Sequence, residues 1–135
     1  MKLKPTEGRR PYLSIVVTSR NDNHGGDLLK RMQIFLSTLL KQCQETQLHC
    51  ELIIVEWNPP ENTVGLKHCL DFSNKTSYCP VRVITVPAFV HNKFQHADRL
   101  PLFQMIAKNV GIRRARGAFV LATNIDVLFS KELIR

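Results

Sequence analysis

Two hydrophobic patterns alternate along the chain, and this alternation is the feature that most limits its fold. Short apolar runs rich in β-branched residues predict strands buried on both faces of a sheet, and they lie at residues 12–17, 51–56, 81–86 and 119–126, the last of which runs into a polar tip. Between them lie stretches with helical periodicity. The resulting β-α-β-α order predicts an α/β fold with a mostly parallel, Rossmann-like sheet, right-handed crossovers and helices on both faces.

The first and third connections carry the clearest helical patterns. In the first, Asp27 is expected to cap the N-terminus of a helix with one broad apolar face, formed by Leu28, Leu29, Met32, Phe35, Leu36, Leu39, Leu40 and Cys43. In the third, a helix is expected to open at Leu100 and Pro101 and to end at Gly117. Its predicted inner face is Leu102, Met105, Ile106, Val110 and Ile112. A weaker helix is predicted over residues 61–70.

The length of 135 residues predicts one domain, with a flexible lead-in at residues 1–11 and the folded domain over residues 12–135. Residues 88–98 have no clear period and are predicted to form a loop over the sheet edge. The chain stops one turn into a helix predicted over residues 131–135. Because so short a helix is not stable alone, either its end frays or the chain is truncated at its C-terminus and belongs to a longer protein, and we expect the second.

No apolar run approaches the roughly 20 residues that span a bilayer, and no signal-peptide pattern is present. No transmembrane segment is therefore expected. The cysteines at Cys43, Cys50, Cys69 and Cys79 form no C-x-x-C pair and match no zinc-type spacing. We expect reduced thiols packed in the core or on a helix face, and a cytoplasmic location.

The net charge of +8 favours a polyanionic partner, which can be a nucleotide, a nucleic acid or an acidic surface. One loose cluster of basic residues lies near the N-terminus, and a second comprises Arg113, Arg114 and Arg116. The second has an ordinary explanation, because cations in the last turn of a helix oppose its dipole and Gly117 can act as the cap. No nucleic-acid-binding motif accompanies the charge, so a basic nucleic-acid-binding module is a weaker alternative and no nucleic-acid partner is expected.

Polar residues follow three of the predicted strands. They are Thr18, Ser19, Arg20 and Asn21 after the first strand, Glu56 at the end of the second, and Asn124 and Asp126 after the fourth. In open α/β sheets ligands bind beyond the carboxyl ends of the strands, so these residues form the candidate site. The carboxylate of Asp126 can hold a divalent metal and, through it, a phosphate. An ordinary turn at Asn124 and Asp126 has about equal weight.

Glu56 fits the acid that bonds a ribose hydroxyl in nucleotide-binding sheets, and an exposed strand-end acid is the equal alternative. The sequence contains neither a G-x-G-x-x-G fingerprint nor a P-loop. A bound phosphate would therefore depend on a metal and on cationic side chains. His91 and His96 have no partner at a ligand-like spacing and are interpreted as surface or loop-packing residues.

Segments at residues 13–21, 51–56, 107–117 and 123–126 resemble, in order and spacing, family 2 glycosyltransferases of the GT-A fold. The resemblance covers nearly all of residues 12–135. It implies the donor-binding half of a hexosyltransferase-like enzyme, which binds a nucleotide-diphosphate sugar and passes the sugar to an unknown acceptor. The acceptor half and the catalytic base normally follow this region, so the chain explains donor binding and not transfer, and no catalytic residue is named.

The resemblance also implies roles in nucleotide binding. The loop of Thr18, Ser19, Arg20 and Asn21 lies against the nucleobase in the family, and the flat guanidinium of Arg20 can stack where the family has an aromatic ring. Glu56 takes the place of an acid that contacts the base or ribose. Lys108 and Asn109 match an Arg-Asn pair near the nucleotide.

Asp126 matches the last acid of the family's Asp-x-Asp motif, which binds a divalent metal such as Mg²⁺ or Mn²⁺. Asn124 stands in place of the first acid of that motif. Because Mg²⁺ often binds through one or two carboxylates together with substrate phosphates and waters, the pair of Asn124 and Asp126 still predicts a metal site. The departure at Asn124 also leaves open a non-catalytic nucleotide-binding domain of the same fold.

Overall fold

The computed structural model describes residues 10–23 and 25–134. Residues 1–9, which make up most of the predicted lead-in, lie outside the described residues, as does Arg135 at the end of the last predicted helix. Along the described chain the elements are β1 (Leu13–Ser19), α1 (Leu28–Thr46), β2 (Cys50–Trp57), α2 (Leu66–Cys69), β3 (Val81–Val86), α3 (Ala88–His91), α4 (Gln104–Arg114), β4 (Phe119–Ala122) and α5 (Lys131–Ile134).

The strands form one parallel sheet in the order β3-β2-β1-β4. In the centre of the register Ile15 lies opposite Leu52 on β2 and Leu121 on β4. In β1 and β2 apolar residues do not alternate regularly with polar ones, because helices cover both faces of these strands. The predicted α/β class with a parallel, Rossmann-like sheet is confirmed.

The two faces of the sheet bury separate cores. Alternate residues of β1 and β2, among them Ile15, Val17 and Leu52, pack against α1. The intervening residues, among them Val16 and Val55, face α4. The buried residues of α1 are Leu28, Met32, Phe35, Leu36, Leu39, Leu40 and Cys43, so the predicted apolar face is confirmed except for Leu29, which is exposed.

Helix α4 approaches the sheet through small residues. Its buried positions are Ala107 and Gly111, four residues apart on one face. A Cβ atom added at Gly111 would lie 2.4 Å from Cγ1 of Val16 and 3.2 Å from Cγ2 of Val55. The helix backbone therefore lies directly on the two central strands.

The predicted inner face of this helix is partly wrong. Met105 is 72% exposed and Ile112 is also exposed, whereas Leu102, Ile106 and Val110 flank the core. The start is wrong as well, because α4 begins at Gln104 and not at residues 100–101. Phe103 has an extended backbone, which places the preceding proline outside the helix.

The predicted burial of the fourth strand is wrong. Phe119 is 58% exposed, and Val120, Leu121 and Ala122 are exposed too. The physical reason is the position of β4 at the edge of the sheet, where it has a single neighbouring strand and contributes no residue to either core. Ile125, just after the strand, does enter the α1 core.

Two predicted helix caps are also wrong. Asp27 adopts a left-handed backbone with φ of 49° and makes no side-chain cap, and Oδ1 of Asn23 accepts the hydrogen bond from the amide of Leu28 instead, at 3.1 Å. Gly117 is not the cap of α4, which ends at Arg114. A Cβ at Gly117 would lie 2.6 Å from Oγ of Ser14, so this glycine permits a close approach to β1.

The shorter elements also differ from the prediction. The weak helix expected over residues 61–70 is a single turn, Leu66–Cys69. Residues 88–98, expected to be a loop, contain the one-turn helix Ala88–His91 after Pro87.

A buried polar network anchors the turn between α4 and β4. Oε2 of Glu51 accepts hydrogen bonds from Oγ of Ser14 and from the amide of Arg116, both at 2.6 Å. Oγ of Ser14 in turn accepts from the amide of Gly117 at 2.8 Å. Arg82 lies 3.9 Å from Oε1 of Glu51, which offsets the charge of the buried carboxylate. This network fixes where β4 begins and hence where its carboxyl end lies.

Candidate functional site

The order of the strands reverses between β1 and β4. From β1 the chain moves outward to β2 and then β3, and it next returns to pair β4 with the other side of β1. In open α/β sheets ligands bind in the crevice beyond the carboxyl ends of the strands at such a reversal. Here α1 follows β1 on one face of the sheet and α4, which precedes β4, packs on the other, while the segment after β4 returns to the α1 face at Ile125. The candidate site lies in this crevice.

The last residues of β1 fix the helices on either side of the crevice. Thr18 and Ser19 are buried and point to opposite faces. Oγ1 of Thr18 donates to Oε1 of Gln104 at 2.5 Å, at the start of α4. Oγ of Ser19 lies 3.3 Å from Sδ of Met32 on α1. Both predicted site residues are at the crevice, and both side chains already bond to the protein.

The loop after β1 is tied to the loop after β2. Nε of Arg20 donates to the backbone oxygen of Asn58 at 2.7 Å, and its Nη1 pairs with Asp22 at 3.1 Å. Nδ2 of Asn21 donates to the backbone oxygen of Val64 at 3.2 Å. These contacts hold the Arg20 guanidinium in a defined position beside the ends of β1 and β2.

Glu56 is buried, with 2% of its surface exposed, so the interpretation of an exposed strand-end acid is wrong. Its Oε2 accepts from the amide of Leu66 at 2.8 Å and its Oε1 from Oγ1 of Thr85 at 3.1 Å. The carboxylate thereby caps the first turn of α2. Since both oxygens have protein partners, a ribose hydroxyl would have to share one of them.

Asp126 forms an ion pair that the sequence did not predict. Its Oδ2 lies 2.8 Å from Nη1 of Arg31, in the first turn of α1, and the two side chains are 40% and 32% exposed. Nε of Arg31 also donates to the backbone oxygen of Gly26 at 3.0 Å. Arg31 is not part of the predicted apolar face of the helix. The first turn of the helix that follows β1 lies at the carboxyl edge of the sheet. This position was the signal in the sequence that could have identified Arg31 as a residue of the candidate site.

Asn124 and Asp126 lie in a turn, which the sequence left open as the alternative to a metal site. The amide of Val127 bonds to the backbone oxygen of Asn124 at 3.3 Å. Nζ of Lys108, on α4, is 3.5 Å from Oδ1 of Asn124, which brings a cation toward the crevice from the second face. Asn109 is exposed on the same helix.

The donor set suits a hard cation only in part. A carboxylate and an amide oxygen on one turn are ligands that Mg²⁺ accepts together with phosphate oxygens. A metal at Asp126 would compete with the guanidinium of Arg31 for the carboxylate. Within residues 10–23 and 25–134, no group of at least three His, Cys, Asp or Glu side chains is arranged to hold a metal ion.

Open cavities lie elsewhere in the molecule. One of about 770 Å³ runs beside β3, near Phe72 and Cys79. Another of about 700 Å³ lies beside Tyr12 and His49. Neither is lined by a predicted site residue, so the topology of the strands, and not cavity size, identifies the crevice.

The cysteines are free thiols, as predicted, and Cys43, Cys50 and Cys79 are buried in the α1 core. Hydrogen bonding to Cys43, together with burial, raises the pKa of Cys50 to about 12 and the pKa of Cys79 well above the usual thiol value. Both thiols are therefore protonated at neutral pH and pack as small apolar groups.

His91 is a buried packing residue, which confirms the loop-packing interpretation. Nε1 of Trp57 donates to its Nδ1 at 2.8 Å, and its Nε2 lies 3.1 Å from the backbone oxygen of Ala97. Because the indole N–H can only donate, Nδ1 is the acceptor and Nε2 carries the proton. His96 is exposed, with a left-handed φ of 65°.

In the described part of the chain, no helix has the length and apolar character needed to cross a membrane. No family model, curated protein or solved structure matches this sequence. What the structure shows is a Rossmann-like α/β fold with polar residues at the reversal of its strand order.

Proposed function

We propose that this chain is the donor-binding part of a metal-assisted glycosyltransferase and that it binds a nucleotide-diphosphate sugar in the crevice between β1 and β4. The observation that supports the proposal is the reversal of strand order at that point, with the predicted residues of both strands at its edge. The motif resemblance supplies the activity. The reduced thiols agree with a cytoplasmic location.

Each side of the crevice would serve one part of the donor. Arg20 and Glu56, at the ends of β1 and β2, would contact the base and ribose. Asp126 and Asn124, with Lys108 nearby, would lie at the diphosphate. A divalent metal bound there would neutralise the charge that develops on the leaving diphosphate.

Asp126→Ala tests the proposal. In wild-type protein, uridine or guanosine diphosphate with Mg²⁺ or Mn²⁺ should raise the melting temperature by several degrees, since a ligand at 100 times its Kd stabilises by about 2.7 kcal/mol. The shift of the wild type should disappear with a chelator, and Asp126→Ala should lose the metal dependence of the shift, because the carboxylate that holds the metal is gone. Differential scanning fluorimetry measures it.

Glu45→Ala is the matched control. It also removes a partly exposed carboxylate from an ion pair, that with Lys41, but at the far end of α1. It should keep the full metal-dependent shift, and so should Arg113→Ala on the last turn of α4. A wild-type protein that shows no shift with any nucleoside diphosphate, with or without metal, would contradict the proposed function.

A second candidate is a non-catalytic, metal-independent nucleotide-binding domain of the same fold. The observation that favours it is the ion pair itself, because the cation at Asp126 is already provided by Arg31. This candidate requires nucleotide binding that is equal with Mg²⁺ and with chelator, and no hydrolysis of sugar nucleotides. A shift that requires metal would exclude it.

A further inference from the structure

The ion pair of Arg31 and Asp126 joins the segments that follow β1 and β4. Arg31 comes from α1, which follows β1, and Asp126 comes from the turn after β4. Nη1 of the guanidinium bonds to the carboxylate at 2.8 Å, and Nε bonds to the oxygen of Gly26 at 3.0 Å. A Cβ at Gly25 would lie 3.0 Å from Nη2. The guanidinium therefore lies against the glycine loop and has a fixed orientation before any ligand arrives.

This ion pair is of a kind that ligands can replace. Both side chains are about one third exposed, and ion pairs at such positions contribute only roughly 0–1 kcal/mol to stability. A diphosphate offers more charge than one carboxylate, and it also offers oxygen pairs that match the two parallel N–H groups of an arginine. A divalent cation is in turn a stronger partner for Asp126 than the guanidinium is, because it carries twice the charge.

The surroundings of Arg31 favour an anion. The first turn of α1 contains no acidic residue, and Asp27 directly precedes it. On the other face of the sheet Lys108 approaches Asn124, so each helix beside the crevice contributes one cation. Asp126 is the acid that pairs with Arg31 across the crevice in this arrangement.

We propose that Arg31 binds the phosphates of the nucleotide. In the absence of ligand Asp126 pairs with the Arg31 guanidinium, and a divalent cation that binds the Asp126 carboxylate releases it. The inference rests on the function proposed above and adds a binding residue that the family motifs do not include. It has a thermodynamic consequence. Because the metal frees the arginine and the nucleotide frees the carboxylate, each ligand strengthens the binding of the other by the same factor.

Arg31→Ala and Asp126→Asn separate the two roles. Isothermal titration with uridine diphosphate, guanosine diphosphate and inorganic pyrophosphate, each in Mg²⁺ and in EDTA, measures Kd. Arg31→Ala should weaken binding at least about tenfold in Mg²⁺, the usual effect of losing a hydrogen-bonded charge. Asp126→Asn should bind in EDTA several-fold more tightly than wild type does in EDTA, and its Kd should no longer depend on metal.

Arg113→Ala is the matched control, since it removes one exposed arginine from another helix, and its Kd should equal that of wild type. If Arg31→Ala binds as tightly as wild type in Mg²⁺, the inference fails and the proposed function stands. If Asp126→Asn binds the probes in EDTA no more tightly than wild type does, competition between Asp126 and phosphate for Arg31 is excluded. This test does not depend on whether Arg31→Ala folds. If wild type binds no probe under either condition, the proposed function fails.

Discussion

At Gly111 a single missing methyl group sets the distance between α4 and the sheet. Helix propensity favours alanine over glycine by roughly 1 kcal/mol. The space between α4 and the sheet does not accommodate an alanine at this position, because its Cβ would lie 2.4 Å from Cγ1 of Val16 on the central strand β1. Overpacking of this kind costs roughly 1–3 kcal/mol, so the steric term prevails.

We therefore expect Gly111→Ala to lower the free energy of unfolding by about 1–2 kcal/mol, measured by urea denaturation. Val16→Ala removes the methyl groups that clash. The double variant Gly111→Ala with Val16→Ala should then be more stable than the sum of the two single effects, because the residues are in contact. Strict additivity, or a stable Gly111→Ala, would show that the helix moves away without cost.

At the scale of residues, the sequence predicted which residues make up the candidate site but not the hydrogen bonds and ion pairs that they form. The positions of Arg20, Glu56 and Asp126 at strand ends followed from the pattern of apolar runs, because a strand ends where its polar neighbours begin. That Glu56 is buried under α2 and that Asp126 meets Arg31 depends on residues far away in sequence. No local pattern determines such pairs.

At the scale of elements, α1 carries most of the core on its face of the sheet. Leu39→Ala, at a position that is 1% exposed, should reduce the free energy of unfolding by about 2–5 kcal/mol through a lost apolar contact and a cavity. Ile34→Ala on the same helix is the matched control. Its side chain is 46% exposed, and its effect should stay within about 0.5 kcal/mol.

Urea titration followed by circular dichroism at 222 nm would measure both variants. Equal effects of the two substitutions would mean that α1 does not pack through the face described here. The periodicity of apolar residues predicted this face because α1 is a long helix with one side in water. In α4 the same reasoning failed at Met105 and Ile112, because the residues nearest the sheet are Ala107 and Gly111, which hydrophobicity does not single out.

For the whole molecule, the strand order predicts how protection against hydrogen exchange is distributed. β1 and β2 have a strand on each side and a helix on each face, whereas β4 lies at an edge with exposed side chains. Backbone amides in β2 should exchange at least about 100-fold more slowly than those in β4, because β4 opens locally while β2 opens only with the core. Hydrogen-exchange mass spectrometry on peptides covering Cys50–Trp57 and Phe119–Ala122, normalised to the denatured chain, measures the ratio. Equal protection would contradict this.

By itself, the sequence determined the class of the fold and the edge where polar residues gather. Short β-branched runs and amphipathic helices are local patterns, and their alternation leaves a parallel sheet as the solution that buries the runs. The tertiary structure alone decided which strand lies at the edge, so that Phe119 is exposed although its segment is as apolar as those of β1 and β2. It also decided that Arg31 faces Asp126 across 95 residues of sequence. Such pairings depend on the order of the strands and on how closely the helices approach them, and those properties arise only when the whole chain packs together.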